Sequence, residues 1–245
     1  MKTKKVDAII LAGGLGTRLR GVVRDVPKVL APVKGRPFLN IILDNLHASG
    51  CVRTVVIAVG HMAEKIIEIY ENNRRYGFNI LFSREEALLG TGGAIKKALG
   101  LVKTDDVVAL NGDSFIEVDL PDLIGFYRSM NSDMTIVLKE LGNASRYGRV
   151  YLDEQQRIVA FREKSAEETA GYINGGIYLF NRKLFDGVEA GRVISLEREL
   201  LPEFVKGLVS GYISLGKFID IGIPEAYGIA QEYLKEEAGQ GPAKR

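Results

Sequence analysis

Val6-Asp7-Ala8-Ile9-Ile10-Leu11-Ala12-Gly13-Gly14-Leu15-Gly16-Thr17-Arg18-Leu19, with Pro27-Lys28 a short way on, is the stretch on which the reading of this chain turns. The apolar run Val6 to Leu11 predicts a buried strand. It ends in closely spaced glycines, whose bare backbone can approach phosphate oxygens and point N–H groups at them. Arg18 follows as a planar, bidentate phosphate donor and Lys28 as a mobile point charge. Taken alone, the same residues also fit an ordinary glycine-rich strand-to-helix turn. Two better-known phosphate motifs fail. A Walker A loop closes on Gly-Lys-Ser/Thr, where this chain has Gly16-Thr17-Arg18. A dinucleotide fingerprint needs glycine where Leu19 stands and a carboxylate where Lys34 to Arg36 lie.

Outward from that loop, strand-like and helix-like segments alternate as a parallel sheet with crossover helices requires. Strands are predicted at 6–11, 54–59, 79–82 and 106–110, with helices at 38–48 and 62–76, where apolar residues recur at helical spacing. Ligands of such doubly wound α/β folds sit outside the carboxyl ends of the strands. Three segments fall there: the glycine loop, Gly90-Thr91-Gly92-Gly93, and Asn111-Gly112-Asp113. From about Met134 the texture becomes α+β, with strands at 134–139, 148–152, 158–162 and 172–180 and a hairpin turn at Asp153 to Gln156. No linker or repeat divides the chain. The expectation is one domain over 1–234: a nucleotide-binding core to about 114, an inserted acceptor part over about 115–222, and a terminal helix over about 223–234. Residues 235–245 read as a flexible tail.

At 245 residues and 46% hydrophobic content the chain can bury a full core. Its 33 basic and 31 acidic residues leave a formal charge of +2, so nothing attracts nucleic acid or an anionic membrane. Cys51 is the single cysteine, which excludes an internal disulfide and fits a reducing compartment. No stretch approaches the roughly 18 apolar residues of a membrane span, and a cytoplasmic location is expected.

In this order and spacing, the segments resemble the sugar-1-phosphate nucleotidylyltransferases, or nucleotide-sugar pyrophosphorylases. Leu11 to Arg18 with Pro27-Lys28 is similar to the family's signature loop, Asn111-Gly112-Asp113 to its first metal-binding motif, and Glu163-Lys164 to its sugar-phosphate lysine motif. Asn174-Gly175-Gly176-Ile177-Tyr178 and Phe218-Ile219-Asp220-Ile221-Gly222 complete the set. The resemblance runs from about residue 6 to 234. It implies a Rossmann-like, glycosyltransferase-A-like, mainly parallel sheet with an inserted α+β sugar-binding subdomain. It also implies attack by a sugar 1-phosphate on the α-phosphorus of a nucleoside triphosphate, a reaction that needs cations around the transferring group and no covalent nucleophile.

By that resemblance Arg18, Lys28 and Lys164 are the catalytic cations. Leu11, Ala12, Gly13, Gly14, Gly16, Thr17, Glu86, Gly90, Thr91 and Gly112 would bind the nucleotide, and Gly148, Glu163, Asn174 and Gly175 the sugar. Asp113 and Asp220 would hold Mg²⁺, which takes one or two carboxylates plus phosphate oxygens and waters. Asp113 also fits a turn or helix cap, Glu163-Lys164 an exposed ion pair, and Gly175-Gly176 a bulge. Asp220, set between two isoleucines, is costly to bury without a partner. Glu85-Glu86 before Leu88-Leu89-Gly90-Thr91 resembles the pattern of guanylyl-transferring members, and a carboxylate can accept from guanine N1–H and N2–H₂ together; UTP, CTP and dTTP stay open. The run 218–227 looks most like the D-glycero-D-manno-heptose 1-phosphate branch, with mannose 1-phosphate and N-acetylmuramate 1-phosphate as competing acceptors. A catalytically silent, nucleotide-sugar-sensing subunit would be free to lose Arg18, Lys28, Asp113 or Asp220, and all four are kept. Oligomeric state, including any homo-oligomer, is left open.

Overall fold

The computed structural model describes residues 5–16, 19, 23, 25–162, 169–222 and 224–233. In chain order these form β1 (Val6–Leu11), the hairpin β2 and β3 (Pro32–Val33, Arg36–Pro37), α1 (Phe38–Ala48), β4 (Val52–Val59), α2 (Ala63–Tyr70), β5 (Asn79–Arg84), α3 (Gly90–Ala98) and β6 (Asp106–Asn111). The second half adds β7 (Ser114–Ile116), α4 (Leu120–Met130), β8 (Met134–Leu141), β9 (Arg149–Leu152), β10 (Ile158–Arg162), β11 (Gly171–Asn181), α5 (Leu201–Phe204), β12 (Val209–Ser214), β13 (Phe218–Asp220) and α6 (Pro224–Tyr233). A π-helical turn, Leu196–Leu200, leads into α5.

Among the described residues one nine-stranded sheet runs through both halves. Its first half, in the order β5, β4, β1, β6, is wholly parallel. Antiparallel β11 then pairs with β6 and β9 along one side and with β8 along the other, and β12 lies parallel to β8. Helices cover both faces, as the doubly wound reading requires. The period of two along each strand sorts side chains between two cores. Ala8 and Ile10 of β1, Val55 and Ile57 of β4 and Val108 of β6 face a core shared with α1, α2, α4 and α6. Ile9, Val56, Val107 and Ala109 face a second core with α3 and the Leu196–Leu201 segment.

Helix α1 matches its predicted range because Phe38, Leu39, Ile42, Leu43 and Leu46 fall on one buried stripe. Helix α2 stops at Tyr70, six residues short of the prediction. The Asn73 side chain accepts from the Arg75 amide at 2.9 Å, a local turn that competes with helix. Tyr76 and Phe78 then stack at 5.2 Å. Strand β5 extends two residues beyond prediction, to Arg84, which makes Glu85 the first residue past its carboxyl end. Helix α4 is an addition to the sequence reading. Asp119 caps it by accepting from the Asp122 amide at 2.9 Å, and Asn131 ends it in the left-handed region. No helix among the described residues is long and apolar enough to cross a membrane.

Candidate active site

The carboxyl ends of β1, β5 and β6 open on a cavity of about 520 Å³. The loop after β1 forms one wall, with Leu11 to Gly16 all lining it. Among the described residues, none accepts a hydrogen bond from the amides of Gly13, Gly14, Leu15 or Gly16, as suits a loop built to meet an anion. The Gly112 amide, by contrast, is used inside the sheet, donating to the Leu11 carbonyl at 3.0 Å.

Lys28 and Asp113 meet in this cavity at 2.7 Å, with the lysine side chain 10% and the aspartate 40% exposed. Asp220 does not itself line the cavity, but the pairing of β13 with β7 sets it opposite Ser114, and the Ile221 amide donates to the Asp113 carbonyl at 3.0 Å. Asp220 Oδ1 accepts from the Gly222 amide at 2.6 Å, and Oδ2 from the Tyr147 hydroxyl at 3.3 Å. Burial, reinforced by the Asp220 charge, pushes the Tyr147 phenol up to about 12. The two aspartates thus offer hard oxygen donors on adjoining backbone. No cluster of three or more His, Cys, Asp or Glu that could hold a metal occurs among the described residues. The donor set fits Mg²⁺, which completes its shell with ligand oxygens and water, and the Lys28 ammonium shows that Asp113 already attracts a cation.

Of the two glutamates after β5, Glu85 lines the cavity and Glu86 is exposed outside it, which moves the base-reading expectation by one residue. Glu85 Oε1 lies 2.5 Å from where a Cβ on Gly13 would stand, so the side chain spans from β5 to the glycine loop. Its Oε2 accepts from the Leu89 amide at 3.0 Å. Burial raises the Glu85 pKa, against partial opposition from that amide and the Lys97 charge.

Gly90 and Thr91 also line the cavity, at the start of α3. Gly90 has φ +70°, and a Cβ there would come 2.6 Å from the Ile194 carbonyl, so glycine is required for the 192–196 segment to lie against the helix. The Gly92 and Gly93 amides both donate to Ile194 O, leaving this helix start capped by the chain itself.

On the acceptor side the sequence reading is redrawn. Gly148 is exposed and Gly175 is buried beside Val137 and Ile116, and neither lines the cavity. The β11 register slips between Asn174 and Tyr178, with Gly176 at φ +80°, so the bulge alternative describes this pair. Asn174 acts indirectly, its Nδ2 donating to the Tyr178 hydroxyl at 2.8 Å. Thr17, Arg18, Glu163 and Lys164 lie outside the described residues.

Asn111, Leu88 and Glu197 line the cavity without having been assigned to it from sequence. Asn111 was legible as part of Asn111-Gly112-Asp113. Glu197, inside Leu196-Glu197-Arg198-Glu199-Leu200, reads as the polar face of an amphipathic turn and gives no local signal.

The nucleotidyl transferase family profile matches residues 7–237. The chain is 41% identical over 231 residues to the D-glycero-alpha-D-manno-heptose 1-phosphate guanylyltransferase of Aneurinibacillus thermoaerophilus, covering 94% of this chain and 99% of that protein. With the protein of the same name from Campylobacter jejuni it shares 39% over 222 residues, 91% and 97% of the two chains. The crystal structure of HddC from Yersinia pseudotuberculosis superposes with a TM-score of 0.84 at 33% identity, over 94% of this chain and 100% of that one. HddC complexed with GMP-PN matches equally.

Proposed function

The chain belongs to the nucleotidyl transferase family, and we propose that it transfers GMP from GTP to D-glycero-alpha-D-manno-heptose 1-phosphate. An anionic oxygen of the sugar phosphate forms a bond to the α-phosphorus. The α–β bridging bond breaks in line, and its electron pair leaves with pyrophosphate. The observation that carries this reading is the convergence of the glycine loop, the Lys28–Asp113 pair and the Glu85 carboxylate on one cavity. The names of the two bacterial relatives supply the choice of GTP and heptose.

In this reading the amides of Gly13 to Gly16 and the Arg18 guanidinium hold the triphosphate, and Lys28 neutralises charge around the α-phosphate as it develops. Lys164 takes the phosphate of the sugar 1-phosphate. Glu85, in its ionised form, accepts from guanine N1–H and N2–H₂. No general base is needed, since the attacking oxygen is already ionised. Mg²⁺, held by Asp113 and Asp220, supplies further neutralisation of the phosphates when bound. The chain acts as one catalytic unit, and its phosphorylated substrates and lone buried Cys51 accord with the cytoplasm.

The test is pyrophosphate release with Mg²⁺ over GTP, UTP, CTP, dTTP and ATP against heptose, mannose, glucose and N-acetylmuramate 1-phosphates. Dominance of GTP with heptose 1-phosphate is expected. Dominance of another pair would replace the substrates, and no release from any pair would remove the activity.

A further inference from the structure

Glu197 is a carboxylate lining a cavity that the reading above fills with two polyanions. It sits at the start of the π-helical turn and is fixed by residues far away in sequence. The Thr91 hydroxyl donates to its Oε2 at 2.7 Å, and that hydroxyl accepts from the Leu196 amide at 2.8 Å. The Ser195 hydroxyl reaches the same Oε2 at 3.3 Å. Among the described residues Oε1 has one partner, the Tyr178 hydroxyl, at a long 3.4 Å. Tyr178 is completely buried, and its hydroxyl accepts from Asn174 Nδ2 at 2.8 Å. With Asn174 donating to the phenol oxygen, the phenol proton is donated to Glu197 Oε1.

The carboxylate is therefore held in one orientation by three hydroxyls, with acceptor capacity left on Oε1. Facing it with a phosphate would set like charges together. Among the described residues it belongs to no group of three or more His, Cys, Asp or Glu that could hold a metal. What it suits is a neutral group rich in O–H donors, and its tether decides which one. Tyr178 and Asn174 belong to β11, which pairs with β6 on the side of the sheet away from β5 and Glu85, where the reading above puts the base.

We propose that Glu197 is a specificity-determining residue that accepts a hydrogen bond from a ring hydroxyl of the acceptor sugar, with Thr91 and Tyr178 as its positioning residues. This rests on the sugar 1-phosphate reading. The wild-type enzyme tests that reading by itself, because absence of pyrophosphate release would overturn both together.

With an active wild type, steady-state kinetics are measured for Glu197→Ala and the isosteric Glu197→Gln. The substrates are GTP with D-glycero-alpha-D-manno-heptose 1-phosphate and its 2-, 3- and 4-deoxy analogues. Glu197→Ala is expected to lower kcat/KM for the sugar phosphate about 10- to 100-fold, the range of a hydrogen bond to a charged group, with the KM of GTP changed less than about threefold. One deoxy analogue should be used equally well by wild type and variant, which a purely structural role would not produce. If Glu197→Ala does not fold, the same non-additivity is read in Glu197→Gln. Equal rises in both KM values, additive losses with every deoxy sugar, or cancellation with 2′- or 3′-deoxy GTP would overturn the assignment.

Discussion

Two aspartates stand at opposite ends of the parallel sheet and are treated in opposite ways. Asp7, at the amino end of β1, is fully buried and takes hydrogen bonds from Arg53 Nε at 3.2 Å and Nη2 at 2.9 Å. The Lys103 and Thr104 amides add two more at 2.7 and 3.1 Å. Asp113, just past the carboxyl end of β6, has a single side-chain partner among the described residues, Lys28, and stays 40% exposed. Asp7 has its acceptor sites filled, whereas Asp113 keeps most of its own for a ligand. In a sheet whose neighbouring strands run the same way, every carboxyl end reaches one edge, so the unfinished polar groups collect there. The amino edge is free to be closed for stability.

The sharpest way to break this contrast is to neutralise Asp113. Asp113→Asn is expected to reduce Mg²⁺-supported pyrophosphate release by about 10³-fold or more, with the urea midpoint little changed. Asp220→Asn should behave alike. Full activity in either would remove the metal-holding role, and a large loss of stability would make Asp113 a structural residue of the Asp7 kind. At the other edge, Asp7→Ala is expected to cost about 3 kcal/mol in urea unfolding, because it strands the Lys103 and Thr104 amides. The folded fraction should keep its turnover number. A stable variant would mean that water satisfies those amides.

The same contrast explains what could be read from the sequence. Strand β1, helix α1 and the residues around Asp113 were legible because each declares itself locally, through periodicity or through glycine beside a polar residue. The sequence left Glu85 and Glu86 open as the base-reading carboxylate, and the end of β5 at Arg84 puts Glu85 on the cavity and Glu86 outside it. Gly175 looked like a place for ligand approach and turned out to serve a bulge, two uses of glycine with one sequence signature. Glu197 could not be found at all. Its position depends on Thr91, 106 residues away, and on the 192–196 segment lying against α3.

Glu85 lies at the carboxyl edge too, and it sharpens the comparison from the ligand side. Glu85→Gln is expected to lower kcat/KM for GTP about 10- to 100-fold, as loss of a charge-assisted pair would. Inosine triphosphate, which lacks the 2-amino donor, should be affected less. An equal loss with both nucleotides would take the carboxylate out of base recognition.

The smallest expected effect concerns acid, and here the two edges should differ in sign. Burial alone would raise the Asp7 pKa, but the Arg53 hydrogen bonds, the two amides and the Arg53 charge outweigh it and hold the carboxyl below its ordinary range. The folded state then binds fewer protons than the unfolded one, so stability rises with pH across the window between the two values. The contribution of Asp7 is complete above about 3.9, the ordinary aspartate value, and is lost as pH falls through the lower folded one. Glu85 is raised by burial, so its ionisation works against the free fold. That penalty is absent below about 4.3, the ordinary glutamate value, and complete above the raised one. Urea titrations against pH should therefore show the acid-side slope flattened in Asp7→Asn, and a gain of stability above the glutamate range in Glu85→Gln. Parallel profiles for the two variants would mean that both carboxylates serve the fold in the same way, and the division between a closed edge and an open one would fail.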